Sequence, residues 1–163
     1  MGGWLALEMA IRSPATFKSL TLISSAGIRI KGVPIANVFI LDRVTLMKSL
    51  FANPVLVDQA LAQTPTQAEA EEAVATMVAA ARLGWSPRFF NPKLEKWLHR
   101  VMLPTQIIWG DQDKIVSPAY ATRFKQLIPQ ASVSIVKDTG HIPFVEKPDE
   151  VTSTIKNFIG RNT

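Results

Sequence analysis

The chain has 163 residues, 47% of them apolar and 19% charged, with a net charge of +5, two histidines and no cysteine. That balance belongs to a folded domain with its own core and excludes a disordered chain. Without cysteine there are no disulfides, no thiolate chemistry and no thiolate metal sites, and two histidines make a structural zinc site a poor fit. The basic residues Lys18, Arg29, Lys31, Arg43, Lys93, Lys96, Arg100, Lys125 and Lys156 are scattered, which argues against a nucleic-acid surface. No stretch approaches the about 18 apolar residues of a membrane span, and the start lacks the basic leader of a signal peptide. The expectation is a cytoplasmic protein.

The opening MGGWLALEMA predicts a helix over Gly2–Arg12, with Leu5, Ala6, Met9 and Ala10 on one face. Ser13-Pro14 stops it, because a residue before proline avoids the helical region. Ser19–Ser25 is nearly continuous in apolar and β-branched residues and predicts a strand buried on both faces of a parallel sheet. Ala26-Gly27 ends it. From Ile28 to about Arg100 the texture turns helical, over Val38–Phe51, Pro54–Gln63 and Gln67–Leu83. The last is rich in Ala and Glu. Asn53-Pro54, Thr64-Pro65, Ser86-Pro87 and Asn91-Pro92 punctuate this segment. Pro92–Arg100 sets charges against Leu94, Trp97 and Leu98, as an amphipathic helix does. The whole reads as a helical insertion, not a second full domain.

Strand and helix then alternate again. Thr105–Gly110 predicts a buried strand, and Ser117–Ile128 a helix with Ser117 as N-cap and Pro118 at its first position. Ser132–Lys137 predicts a third strand. Glu146–Ile159 predicts a closing helix, with Pro148 in its first turn and Gly160 at its end. This order gives an α/β class: about three parallel strands, right-handed crossovers and flanking helices. No internal repeat or low-complexity tract interrupts it.

Two loops carry the chemistry. Gly110-Asp111-Gln112-Asp113-Lys114-Ile115-Val116 follows the second strand, and Asp138-Thr139-Gly140-His141-Ile142-Pro143-Phe144 follows the third. Both lie at carboxyl ends of parallel strands, where open α/β sheets bind ligands. A carboxylate beside an imidazole fixes its tautomer and stabilises the imidazolium, so the missing partner of such a pair is a nucleophile. Read alone, Asp113 also suits a cap for the helix near Ser117 or a partner for Lys114. Asp111 suits a side-chain-held turn, and His141 a packed loop histidine. His99, beside Arg100, reads as a surface residue. Trp85, Phe89, Phe90 and Trp97 read as core. Ser24-Ser25 ends a strand with no elbow after it and Ser117 caps a helix, so none of the three reads as the nucleophile.

Together these stretches resemble the C-terminal portion of an α/β-hydrolase-fold enzyme. In that family the nucleophile sits in a Gly-x-Ser-x-Gly elbow between a strand and a helix. Met1-Gly2-Gly3 resembles the end of that elbow and WLALEMA the helix after it, which puts the serine immediately before Met1. The resemblance implies Asp113 as the triad acid, with Asp111 as the alternative, and His141 as the base. It implies the backbone nitrogen of Met1 at the oxyanion hole, and Gly2 and Gly3 as the elbow remnant. It divides the chain into a hydrolase core, 1–30 and 101–163, and a helical cap, 31–100. The substrate implied is a hydrophobic ester or related carbonyl compound, met by Ile35, Val38, Phe39, Ile40, Leu46, Phe51, Val74 and Met77. No metal or organic cofactor is implied. Met-Gly-Gly favours a serine over an aspartate nucleophile.

The same resemblance implies a hydrolase cut off before its nucleophile and inactive alone. The alternatives are a non-catalytic binding or interaction module, or half of a split enzyme. In each case Ser19–Ser25 becomes an open apolar edge, prone to self-association.

Overall fold

A computed structural model describes residues 1–162. Three strands pair in parallel in the order β1 (Leu20–Ile23), β2 (Thr105–Gly110), β3 (Ser132–Val136). Leu22 lies opposite Ile107 and Trp109 opposite Ile135. The α/β class and the three expected strands are therefore present. Cover on both faces holds for β2 only, whose residues are all buried. β1 alternates buried and half-buried residues, and β3 leaves Val133 and Ile135 38% and 40% exposed. The cause is position: β2 is central, while β1 and β3 are edges of the described sheet.

Alternation along the strands sorts the core into two layers. Leu20, Leu22, Ile107 and Trp109 cluster with Leu7, Ala10 and Ile11 of α1 (Gly2–Arg12) and with Tyr120, Ala121 and Phe124 of α5 (Ala119–Leu127). Ile108 and Val136 point the other way and cluster with Val151 of α7 (Pro148–Arg161), with Ile23 and Ile155 against them. In α1 the buried stripe is Leu7, Ala10 and Ile11, whereas Leu5 and Met9 are 50% and 52% exposed. The helix is apolar on more than one side, and the sheet takes a different side from the one expected.

Between β1 and β2 the chain forms α2 (Arg43–Leu50), α3 (Pro54–Ala62) and α4 (Gln67–Gly84). α2 starts later than expected, because the Asp42 side chain accepts from Thr45 N at 2.9 Å and so caps a helix beginning at Arg43. Asn53 caps α3, with Pro54 at its start. Thr66 and Glu69 form a capping box at the head of α4. Leu94–Arg100 is a 3₁₀ helix, not an α-helix, with Leu94 and Leu98 fully buried. Phe89 is buried and stacks on Phe39, but Trp85 and Trp97 are 56% and 43% exposed, against the core reading. Trp85 lies against Phe39, and the Arg100 guanidinium covers Trp97. Phe90 is half-buried and His99 is exposed.

α5 begins one residue later than expected, after Pro118, although the Ser117 hydroxyl still accepts from Ala119 N at 3.3 Å. The closing helix, expected from Glu146, starts two residues later as α7, because Lys147 before Pro148 stays out of the helical region, and a separate short helix, α6 (Pro143–Glu146), precedes it. α7 runs through Gly160 to Arg161. Among the described residues no helix is long and apolar enough to cross a membrane.

Candidate active site

The loop after β2 is shaped by Asp113. Its Oδ1 accepts from Ile115 N at 2.8 Å and Val116 N at 2.9 Å, so the side chain folds the chain back on itself. Trp109 Nε1 donates to Val116 O at 2.9 Å and fastens the end of that turn to β2. The loop after β3 is stitched to it through main chain, with Asp111 N donating to Val136 O and Gln112 N to Thr139 O. Glycine is required where they meet: a Cβ on Gly110 would lie 2.1 Å from Gly140 O.

This stitching brings His141 to Asp113. His141 Nδ1 lies 2.8 Å from Asp113 Oδ2, with the carboxylate fully buried and the imidazole 22% exposed. The carboxylate accepts from Nδ1–H, which leaves Nε2 as the acceptor nitrogen. His141 N also donates to Leu50 O, at the end of α2. Asp111, the alternative acid, is turned elsewhere: its Oδ1 accepts weakly from Thr139 N at 3.4 Å and its Oδ2 is 3.8 Å from Lys137 Nζ. Asp113 thus caps the turn and holds the histidine at once.

A cavity of about 260 Å³ opens beside the imidazole. Its apolar lining includes Ile35, Val38, Leu46, Leu50, Met77, Phe89, Ile115 and Val116. Of the apolar residues singled out by sequence, Ile35, Val38, Leu46 and Met77 reach it, whereas Ile40 and Val74 are 69% and 64% exposed. Met1 and Ser24 also line this cavity. Gly2 has open space around it, and a Cβ on Gly3 would meet Ser25 Oγ at 2.4 Å. A second cavity, about 380 Å³, lies between Arg29, Arg88 and Tyr120 and does not include His141. The first is the one that adjoins the imidazole.

Two residues have surroundings that the sequence reading did not anticipate. Ser24 is buried with φ of 44°, and its hydroxyl finds no hydrogen-bond partner among the described residues. Glu146 accepts main-chain amides from both Gly140 and the Ala52–Asn53 segment. Neither leaves a pattern in neighbouring residues that sequence inspection could use.

The chain is similar to known proteins. Lipase 1 of Psychrobacter immobilis is 28% identical over 97% of the chain, and the chain covers 53% of it. A 2-hydroxy-6-oxo-6-(2'-aminophenyl)hexa-2,4-dienoic acid hydrolase of Metapseudomonas resinovorans is 26% identical over 99% of the chain, which covers 58% of it. The chain thus spans little more than half the length of these relatives. A meta-cleavage product hydrolase from Pseudomonas fluorescens superposes with a TM-score of 0.75 at 18% identity, over 99% of this chain and 62% of that one. The sequence profile of the alpha/beta hydrolase fold matches residues 43–148, a span that takes in both loops. The chain belongs to the alpha/beta hydrolase fold family.

Proposed function

We propose that Asp113 and His141 are the acid and base of a serine-type hydrolase acting on a hydrophobic ester or related carbonyl substrate. The nucleophile belongs to sequence of the parent protein that precedes Met1, and the chain alone is inactive. The observation that carries this reading is the 2.8 Å contact of His141 Nδ1 with buried Asp113 Oδ2, at the wall of an apolar cavity. The lipase among the relatives favours an ester, and the dienoic acid hydrolase keeps C–C bond cleavage as the neighbouring chemistry.

In this reading His141 Nε2 takes the serine hydroxyl proton as the oxygen attacks the substrate carbonyl carbon. The charge that develops on the carbonyl oxygen is met by backbone N–H groups, that of Met1 among them. His141 then returns the proton to the leaving alkoxide, and water repeats the sequence on the acyl-enzyme. Asp113 holds the ring throughout and stabilises its charged form. No metal or organic cofactor is called on. Residues 31–100 act as the cap over the cavity, and 1–30 with 101–163 as the core.

The cavity is built entirely from this chain, which favours a second reading: a binding module, or the complementing half of a split enzyme. In either case the isolated chain self-associates through the open edge of β1.

The parent protein, extended upstream of Met1, should cleave p-nitrophenyl esters. Asp113→Asn should lower kcat by about four orders of magnitude, because the amide selects the wrong tautomer, and His141→Ala should do the same or worse. Retention of most activity in either variant would refute the assignment. Ester cleavage restored by mixing this chain with a separate upstream half would select the split-enzyme reading, and its absence would remove it.

A further inference from the structure

We propose that Glu146 is a positioning residue: its carboxylate locks the His141 loop to the wall of the apolar cavity, so that wall and imidazole move as one body. The inference rests on the hydrolase reading, in which His141 is the base.

Glu146 is half-buried at the end of α6, and the partners found for it are main-chain amides. Gly140 N donates to Oε2 at 2.5 Å. Ala52 N and Asn53 N donate to Oε1 at 2.9 and 2.8 Å. One carboxylate therefore joins the residue before the histidine to the connection between α2 and α3. These are charge-assisted bonds to a partly desolvated acceptor, stronger than neutral ones. A surface ion pair would have offered a lysine or arginine and held little.

The second half of the joint is main chain. His141 N donates to Leu50 O at 2.8 Å. A Cβ on Gly140 would lie 2.4 Å from that same carbonyl oxygen, so glycine is what lets the two backbones touch. Leu50 and Leu46 meanwhile line the cavity with His141. Asp113 fixes the rotation of the ring through Nδ1, while Glu146 and Leu50 O fix where the histidine backbone stands relative to the cavity. A displacement of α2 by a bound acyl group is thereby passed to the base. A catalytic hydrogen bond is sensitive to shifts of this kind, since a misplacement near 1 Å costs about a hundredfold in rate.

The test is nuclear magnetic resonance on the parent protein, extended upstream of Met1, reading amide exchange at Gly140, Ala52 and Asn53 together with the low-field His141 Nδ1 proton. In Glu146→Ala all three amides should exchange about tenfold faster or more, and the Nδ1 proton should broaden or vanish. Glu146→Gln keeps one acceptor oxygen, so it should protect either Gly140 or the Ala52–Asn53 pair, not both; it serves if the alanine variant does not fold. Unchanged amides in either folded variant would show that the joint does not exist. Lost protection with an unaltered Nδ1 proton would reduce Glu146 to a brace with no hold on the base. The readout needs no substrate, so an inactive parent protein would defeat the hydrolase reading and leave this result standing.

Discussion

Glu8 shows how one side chain on α1 reaches across the fold. Its carboxylate accepts from Trp4 Nε1 at 3.1 Å, from Asn91 Nδ2 at 2.7 Å and from Arg12. Burial raises its pKa, but the bonds from Asn91, Arg12 and Trp4 outweigh that and leave it below the ordinary glutamate value. A depressed carboxyl stabilises the fold above the unfolded pKa, about 4.3, and that stabilisation is lost as pH falls through the folded pKa. Wild type should therefore exceed Glu8→Gln in urea midpoint by a constant margin from pH 8 to about 5.5, and the margin should shrink below about pH 4.3. A margin that persists to pH 3 would show that the ionised form contributes nothing. The pair Asp113 and His141 is legible at this scale, because the residues sit in recognisable loops. Glu146 is not legible: its amide partners at Ala52 and Asn53 lie 94 and 93 positions away and carry no side-chain signature.

Elements were readable where their ends are written locally. α4 runs Gln67–Gly84 against the expected Gln67–Leu83, because Thr66 and Glu69 start it and a run of alanines sustains it. Most of its residues are exposed, so local signals carry its stability. Thr66→Ala should cost about 1 kcal/mol of helix stability. Amide exchange within α4 should rise accordingly, while the global urea midpoint hardly moves; an equal loss in both would mean that α4 unfolds with the core. Reading failed where long-range packing decides. Leu94 and Leu98 have the spacing of an α-helix, yet both are drawn fully into the core by a 3₁₀ segment. Trp85 and Trp97 look like core residues, but Phe39 beside the first, and His99 and Arg100 beside the second, leave both exposed.

On the scale of the whole molecule, the sheet has an uneven finish. β2 is enclosed, while β1 pairs on one side only among the described residues, and α1 nearby leaves Leu5 and Met9 half exposed. Apolar strand edges of this kind recruit further strands. The isolated chain should elute from size-exclusion chromatography as dimers or larger species at micromolar concentration. A single monomeric peak, with light scattering to match, would show that β1 is adequately protected. The strand count and parallel order followed from the alternation of strand and helix. Which strands are enclosed did not follow, because that depends on neighbours and not on the strand's own residues.

Asp113 spends one oxygen on its own main chain and the other on the imidazole. The carboxylate therefore cannot rotate to offer a second lone pair without abandoning the amides of Ile115 and Val116. For protein engineering, the portable unit is the stretch from Asp113 to Val116 with its Trp109 anchor, grafted together with the histidine. Two residues moved alone onto a foreign scaffold would arrive with the acid free to swing.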